Sequence, residues 1–131
     1  MAREVFQQEL KEVQERLVEI ATDVTRIMQS ASHSFTKSDV ALADQAISLA
    51  ELTGDKALAL DELVIRILAR QSPVARDLRI LVSALRISAS LERMGALAGH
   101  IAQIARFRYP GSAIPESLRS TFVEMGVLDL A

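Results

Sequence analysis

Apolar residues recur along this chain at alternating spacings of four and three, which is the spacing of a helix face packed against other helices. The first run covers about residues 3–35, the second about residues 39–71 and the third residues 75–107. At 1.5 Å of rise per residue, each of these helices is roughly 50 Å long. The pattern therefore predicts three long amphipathic helices.

Each predicted helix has a seam of residues that we expect to form the core. In the first helix the seam is Phe6, Leu10, Val13, Leu17, Ile20, Val24, Ile27 and Ala31. In the second it is Leu42, Ala46, Leu49, Leu60, Val64 and Ile67. In the third it is Ile80, Ala84, Ile87, Leu91, Met94, Ala98, Ile101 and Ala105. Gly54 interrupts the second seam and predicts a bend or a close helix contact there.

Short breaks join the helices near residues 36–38, 72–74 and 109–115. We expect Ser38 to cap the second helix, because serine is a favoured N-cap residue. Pro73 suits the beginning of the third, because proline is tolerated in a first helical turn. Short connections force neighbouring helices to run antiparallel, so the predicted fold is an all-α, antiparallel three-helix bundle.

A short fourth helix is expected to begin at Pro115 and to carry an apolar stripe at helical spacing. The stripe consists of Leu118, Phe122, Met125 and Leu128. Such a stripe favours burial, and we expect it to pair with a second copy in a two-fold homodimer. The alternative is that the fourth helix folds back on its own bundle and leaves a monomer.

Composition excludes several classes of protein. The chain has no Cys, which rules out disulfides and thiolate metal sites. No apolar run approaches the roughly 18 residues that span a bilayer, and the charged N-terminus is unlike a signal peptide. We therefore expect a cytoplasmic protein without a transmembrane segment. The net charge of −2 argues against a nucleic-acid binder.

Charge is distributed unevenly along the chain. Residues 1–69 hold seven basic and twelve acidic residues, a net of −5, whereas residues 70–109 hold seven arginines and two acids, a net of +5. One interpretation is that the basic helix forms ion pairs with its neighbours in the bundle. The other is that it docks an acidic partner. The candidate partner-binding residues are Arg76, Arg79, Arg86 and Arg93.

Two stretches, Gln71-Ser-Pro-Val-Ala-Arg-Asp-Leu-Arg79 and Leu91-Glu-Arg-Met-Gly95, resemble the PhoU family of phosphate-signalling proteins. The stretches at 3–10 and 106–110 look like its actinobacterial branch. The resemblance implies a cytoplasmic, non-enzymatic regulator that represses the phosphate-starvation response. It also implies coupling of the ATPase of the phosphate ABC transporter to a sensor histidine kinase.

The resemblance implies a fold of two similar three-helix repeats. Residues 1–109 would form the first repeat, and residues 110–131 would be a linker and the first helix of an incomplete second repeat. We therefore expect a truncated member of the family.

The resemblance further implies that some members bind iron or zinc through an acidic residue followed four positions later by Asp. On the third helix Glu92 begins the motif, but Ala96 stands where the motif has Asp. On the second helix the aligned acidic positions are Ala50 and Gly54. We expect no multi-metal cluster and no cofactor. The alternative is one weakly bound iron, zinc or magnesium ion held by Glu92 and His100, with Glu51 or Asp55.

Small residues on the third helix allow two interpretations. Gly95 and Gly99 either let another helix of the bundle approach closely or form a groove for a partner helix. Two alternatives for the function also stay open: a helical metal-binding protein and a histidine phosphotransfer-like module. A ferritin-like di-iron protein is disfavoured, because the third residue before each His is Ser30 or Leu97 and not Glu.

Overall fold

Three long helices packed side by side dominate the computed structural model, which describes residues 2–70 and 72–131. The helices are α1 (Ala2–Lys37), α2 (Val40–Arg70) and α3 (Ala75–Arg108). A 3₁₀ turn at Glu116–Leu118 leads into a short α4 (Arg119–Leu130). Within the described residues there is no strand, so the all-α prediction is confirmed.

Side-chain pairs show that neighbouring helices run antiparallel. Arg70 at the end of α2 donates to Glu9 near the beginning of α1, with 2.9 Å between Nη2 and Oε2. Arg106 near the end of α3 lies 3.3 Å from Asp44 near the beginning of α2. The predicted up-down-up arrangement is therefore confirmed. No helix in the described ranges has an apolar stretch long enough to cross a bilayer.

The turn between α1 and α2 differs from the prediction in its capping residue. Asp39, and not Ser38, caps α2, because its carboxylate accepts the backbone N–H of Leu42 at 3.1 Å. Ser38 instead has a φ of 54°, the left-handed conformation that ends many helices. The predicted end of the second helix at Gln71 lies outside the described residues.

The seams of α1 and α2 are largely as predicted. Seven of the eight α1 seam residues are buried, and Leu17 is half-buried. In α2, Leu42 and Leu49 are half-buried and the other four are buried. The helix continues through Gly54, where a methyl group would meet nothing within 4 Å, so the predicted close helix contact does not occur there.

The seam of α3 is rotated relative to the predicted one. Ile87 and Met94 are about half exposed, and smaller residues face the core instead. The buried positions of α3 are Leu81, Ala84, Ser88, Gly95, Ala98, Gly99, Ala102 and Ala105. Hydrophobicity alone predicts that the larger side chains face the core. The helices lie so close together that only smaller side chains fit between them.

Two glycines show how close α3 lies to its neighbours. A methyl group on Gly95 would lie 3.4 Å from the Cδ1 atom of Ile27, and one on Gly99 would lie 3.1 Å from the Cβ atom of Ala50. Gly95 and Gly99 are thus used for packing within the bundle. They do not form a groove for a partner helix.

The fourth helix folds back along α1. The rings of Phe122 and Phe35 lie 5.2 Å apart, Arg119 donates to the backbone carbonyl of Thr36, and Gly126 lies against Ser32. The predicted stripe is therefore divided: Phe122 packs against α1, whereas Leu118, Met125 and Leu128 are 45%, 51% and 65% exposed. No Cα atom of α4 lies within 8 Å of one in α3, both helices being fully described.

Candidate partner-binding surface on the third helix

Four arginines lie along the solvent side of α3. Arg76, Arg79, Arg86 and Arg93 are all exposed. Their spacings of three and seven residues place them on one side of a helix with 3.6 residues per turn. We call these four residues the basic row. The sequence predicted them as a group, and the structure places them on a common face.

None of the four arginines has a carboxylate within 4.0 Å among the described residues. The arginines that do pair with acidic residues on other helices are Arg70 and Arg106, near the helix ends. Ion pairs inside the bundle therefore involve two arginines of the basic segment 70–109, Arg70 and Arg106, and none of the four residues of the basic row among the described residues. The positive charge of the basic row is available to a partner.

Large apolar side chains lie beside the basic row and complete the surface. Ile87, Met94, Leu97 and Ile104 are each between 49% and 54% exposed. We call these four residues the apolar row. This row differs from the sequence-based prediction, which places Ile87 and Met94 in the core. A signal was present: Ser88, Gly95 and Ala102 recur every seven residues, which marks an alternative seam of small residues.

At its N-terminal end, the basic row borders a groove between α1 and α3. Arg3, Lys11 and Arg76 line this groove together with Asp77, and Leu10 and Ile80 contribute apolar surface. The groove has a volume of about 600 Å³. Three cations and one carboxylate beside apolar surface suit an acidic protein segment that also carries an apolar side chain.

Two titratable groups of α2, Lys56 and Asp61, have raised pKa values. Lys56 on α2 donates to Asp23 at 2.6 Å and to Glu19 at 2.8 Å, and the hydrogen bond to Asp23 is the main cause that raises the pKa of Lys56. Burial raises the pKa of Asp61, whose Oδ1 atom is buried without a hydrogen-bond partner. Neither group belongs to the surface of α3 described above.

The candidate metal ligands do not converge. Glu51, Asp55, Glu92 and His100 are all exposed, and across residues 2–70 and 72–131 no three His, Cys, Asp or Glu side chains lie close enough to hold an ion. Where the resemblance calls for carboxylates, Ala50 instead packs against Gly99. The residues present do not fit an iron or zinc cluster.

We expect the purified chain to contain less than one equivalent of iron or zinc after dialysis against a chelator, measured by elemental analysis. Ala96→Asp should raise metal uptake, because it places a carboxylate one turn from Glu92 on an exposed face. Ser83→Asp, at an exposed position of α3 more than two turns away from Glu92, is the matched control. Two or more equivalents surviving the chelator in the unmodified chain would contradict this expectation.

Comparison with known proteins relates most of the chain to one family. The sequence model described as the PhoU domain matches residues 17–105. The chain is 40% identical over 124 residues to the phosphate-specific transport system accessory protein PhoU homolog 2 of Mycobacterium tuberculosis. That alignment covers 95% of this chain and 58% of the relative.

More distant relatives carry similar names. PhoU homolog 1 of Mycobacterium leprae is 37% identical over 124 residues, covering 95% of this chain and 56% of that protein. The PhoU homolog of Rhizobium meliloti is 32% identical over 113 residues, covering 86% of this chain and 47% of that protein. No solved structure matches the chain. The chain thus spans about half the length of these curated relatives, and it belongs to the PhoU family.

Proposed function

We propose that this chain is an accessory and regulatory module of phosphate transport that acts by binding other proteins, without catalysing a reaction itself. Its relatives in Mycobacterium are named accessory proteins of the phosphate-specific transport system. The observation that carries the proposal is the basic row of α3, which is exposed and has no acidic partner within 4.0 Å in the described part of the chain. A surface of this kind attracts and orients an acidic protein.

The finer proposal concerns the partners. The chain would contact the ATPase of the phosphate ABC transporter and a sensor histidine kinase in the cytoplasm, and would repress the phosphate-starvation response while phosphate is plentiful. The groove beside Arg3 and Arg76 supports a docking mode in which charge orients the partner and an apolar side chain near Leu10 and Ile80 holds it.

A reporter assay tests this role in cells. A bacterial strain that lacks its own PhoU homolog and carries a phosphate-starvation promoter fused to a fluorescent protein would receive the chain. At high phosphate we expect the chain to lower fluorescence, because it replaces the deleted homolog that couples the transporter to the kinase. The intact relative of the host strain is the positive control.

A variant separates docking from abundance in this assay. Arg76→Glu with Arg79→Glu should leave the fluorescence high, while immunoblotting shows the same amount of protein. If the unmodified chain is abundant and folded and the reporter nevertheless stays as bright as with an empty vector, the proposed role is wrong.

A further inference from the structure

The stretch at residues 106–110 lies at the end of α3 and takes no part in the docking proposed for Arg76 and Arg79. Phe107 is 85% exposed, which is the highest value for a large apolar side chain among the described residues. Tyr109, directly after the helix, is 53% exposed. Aromatic rings left in water to this extent favour contact with another apolar medium.

Aliphatic side chains continue this apolar surface toward the middle of α3. Leu97 and Ile104, which belong to the apolar row, are each about half exposed. An open groove of about 520 Å³ runs along the same side of the helix, lined by His100, Gln103, Ile104, Phe107 and Arg108. Positions 97, 100, 104, 107 and 108 fall on one side of a helix with 3.6 residues per turn. We call these five residues the distal patch of α3.

The charge around the distal patch is positive. Residues 93–108 hold three arginines and no acidic residue. Arg106 lies 3.3 Å from Asp44 of α2, whereas Arg93 and Arg108 have no carboxylate within 4.0 Å among the described residues. The patch therefore combines exposed apolar side chains with positive charge that is free to attract an anionic surface.

The distal patch faces away from the other long helices. Gly95 and Gly99 mark the sides of α3 that contact α1 and α2, respectively. At roughly 100° per residue, these two glycines lie about 140° to 180° around the helix from Ile104. Glu92, the nearest acidic residue in sequence, projects roughly 120° away from Ile104 on the same count. The patch is thus placed to meet a flat surface.

Two kinds of anionic surface suit exposed aromatic rings beside arginines. Single-stranded nucleic acid stacks its bases on such rings. A lipid bilayer receives aromatic and aliphatic side chains at the boundary between headgroups and acyl chains, while arginine binds the lipid phosphates. The aliphatic side chains of Leu97 and Ile104 offer no face for base stacking but suit the acyl chains. The composition of the distal patch therefore favours the bilayer.

We propose that the distal patch binds the surface of an anionic lipid bilayer. Phe107 and Ile104 enter the boundary of the acyl chains, and Arg93 and Arg108 bind the phosphate groups. From position 97 to position 107 the contact extends roughly 15 Å along the helix. Few side chains take part, so binding is reversible. Phosphate transport plays no part in this inference, which uses a different portion of α3 from Arg76 and Arg79.

A single tryptophan reports whether the patch enters the bilayer. The chain contains no tryptophan, so Phe107→Trp introduces one emitter while keeping an aromatic ring that suits the membrane interface. With vesicles of equal parts phosphatidylglycerol and phosphatidylcholine, we expect its emission to shift to shorter wavelength, because the indole ring leaves water. Leu58→Trp, at a 60% exposed position of α2, is the matched control and should show no shift.

Flotation of the same vesicles measures the affinity. Phe107→Ser with Ile104→Ser should weaken binding roughly 30-fold, because two apolar side chains no longer leave water. Leu58→Ser with Ile65→Ser, at similarly exposed positions of α2, should leave the affinity unchanged. Circular dichroism should show equal helix content in both variants.

Charge is tested with the same vesicles. The unmodified chain should be released at high salt and should bind vesicles of pure phosphatidylcholine far more weakly, since both conditions remove the electrostatic attraction. Arg93→Glu with Arg108→Glu should also weaken binding, whereas Arg26→Glu with Arg66→Glu, on α1 and α2, should weaken it much less.

The proposal is overturned if the tryptophan at position 107 keeps its emission in the presence of the anionic vesicles, or if the two serine pairs bind them equally. Binding of a labelled single-stranded oligothymidylate without binding of vesicles would also overturn it. These measurements contain no protein partner, so their failure leaves the proposed role in phosphate transport to the reporter assay.

Discussion

Replacing Gly95 with leucine should destabilise the bundle by about 3 kcal/mol, because a large side chain would have to enter a closely packed helix contact. A methyl group at this position would already lie 3.4 Å from Ile27 and 3.5 Å from Val24. The remaining atoms of a leucine have no space unless α3 moves away from α1. Chemical denaturation followed by circular dichroism measures the loss of stability.

The neighbouring position provides the control. Ala96 is exposed on the same helix, so Ala96→Leu should change the free energy of unfolding by no more than about 0.5 kcal/mol. Glycine is a poorer helix former than leucine by roughly 0.8 kcal/mol, so helix propensity alone would stabilise Gly95→Leu. A loss of stability in this variant therefore reports packing. Equal stability of Gly95→Leu and Ala96→Leu would show that the seam of α3 is not where the structure places it.

The number, length and direction of the long helices could be predicted from the sequence because of strict periodicity in α1. Its large apolar residues occupy the core face, from Phe6 to Ile27, while acidic and basic residues occupy the opposite face. Such a pattern permits one orientation of the helix. The connections near residues 36–38 and 72–74 are short, so consecutive helices must run antiparallel.

The orientation of α3 could not be predicted in the same way, because this helix carries two competing apolar seams. One contains Ile87 and Met94, and the other contains Ser88, Gly95 and Ala102. Hydrophobicity favours the first, but close approach to α1 and α2 favours the second. Only the distances between helices decide between them, and a single sequence does not contain those distances.

The candidate surface was therefore predicted in part. Charge alone identified the basic row, since charged side chains without partners stay in solvent. The apolar row beside it went unrecognised as a consequence of the error in α3. The position of α4 depended on Gly126, which lets this helix approach Ser32, and on the pairing of Phe122 with Phe35. The periodicity of α4 did not reveal either contact.

Reversing the charge of Arg76 and Arg79 should weaken binding of a signalling partner roughly 100-fold, because like charges would then face the acidic surface of the partner. Both arginines are exposed and free of ion pairs among the described residues, so the double variant should fold normally. The loss should shrink at high salt, where screening weakens these interactions in the unmodified chain.

The matched control is Arg26→Glu with Arg66→Glu, two exposed arginines on α1 and α2. This control produces the same change in net charge at a different surface. It should bind the partner with nearly the affinity of the unmodified chain, since long-range charge effects are small beyond about 10 Å in 0.1 M salt.

The most direct test is titration calorimetry of the chain with the cytoplasmic part of the sensor histidine kinase, repeated with the transporter ATPase. We predict that the unmodified chain and the Arg26/Arg66 control bind at least one of these partners, and that the Arg76/Arg79 variant binds it far more weakly. Equal affinity of the two double variants for the partner would contradict the claim that the basic row of α3 is the docking surface.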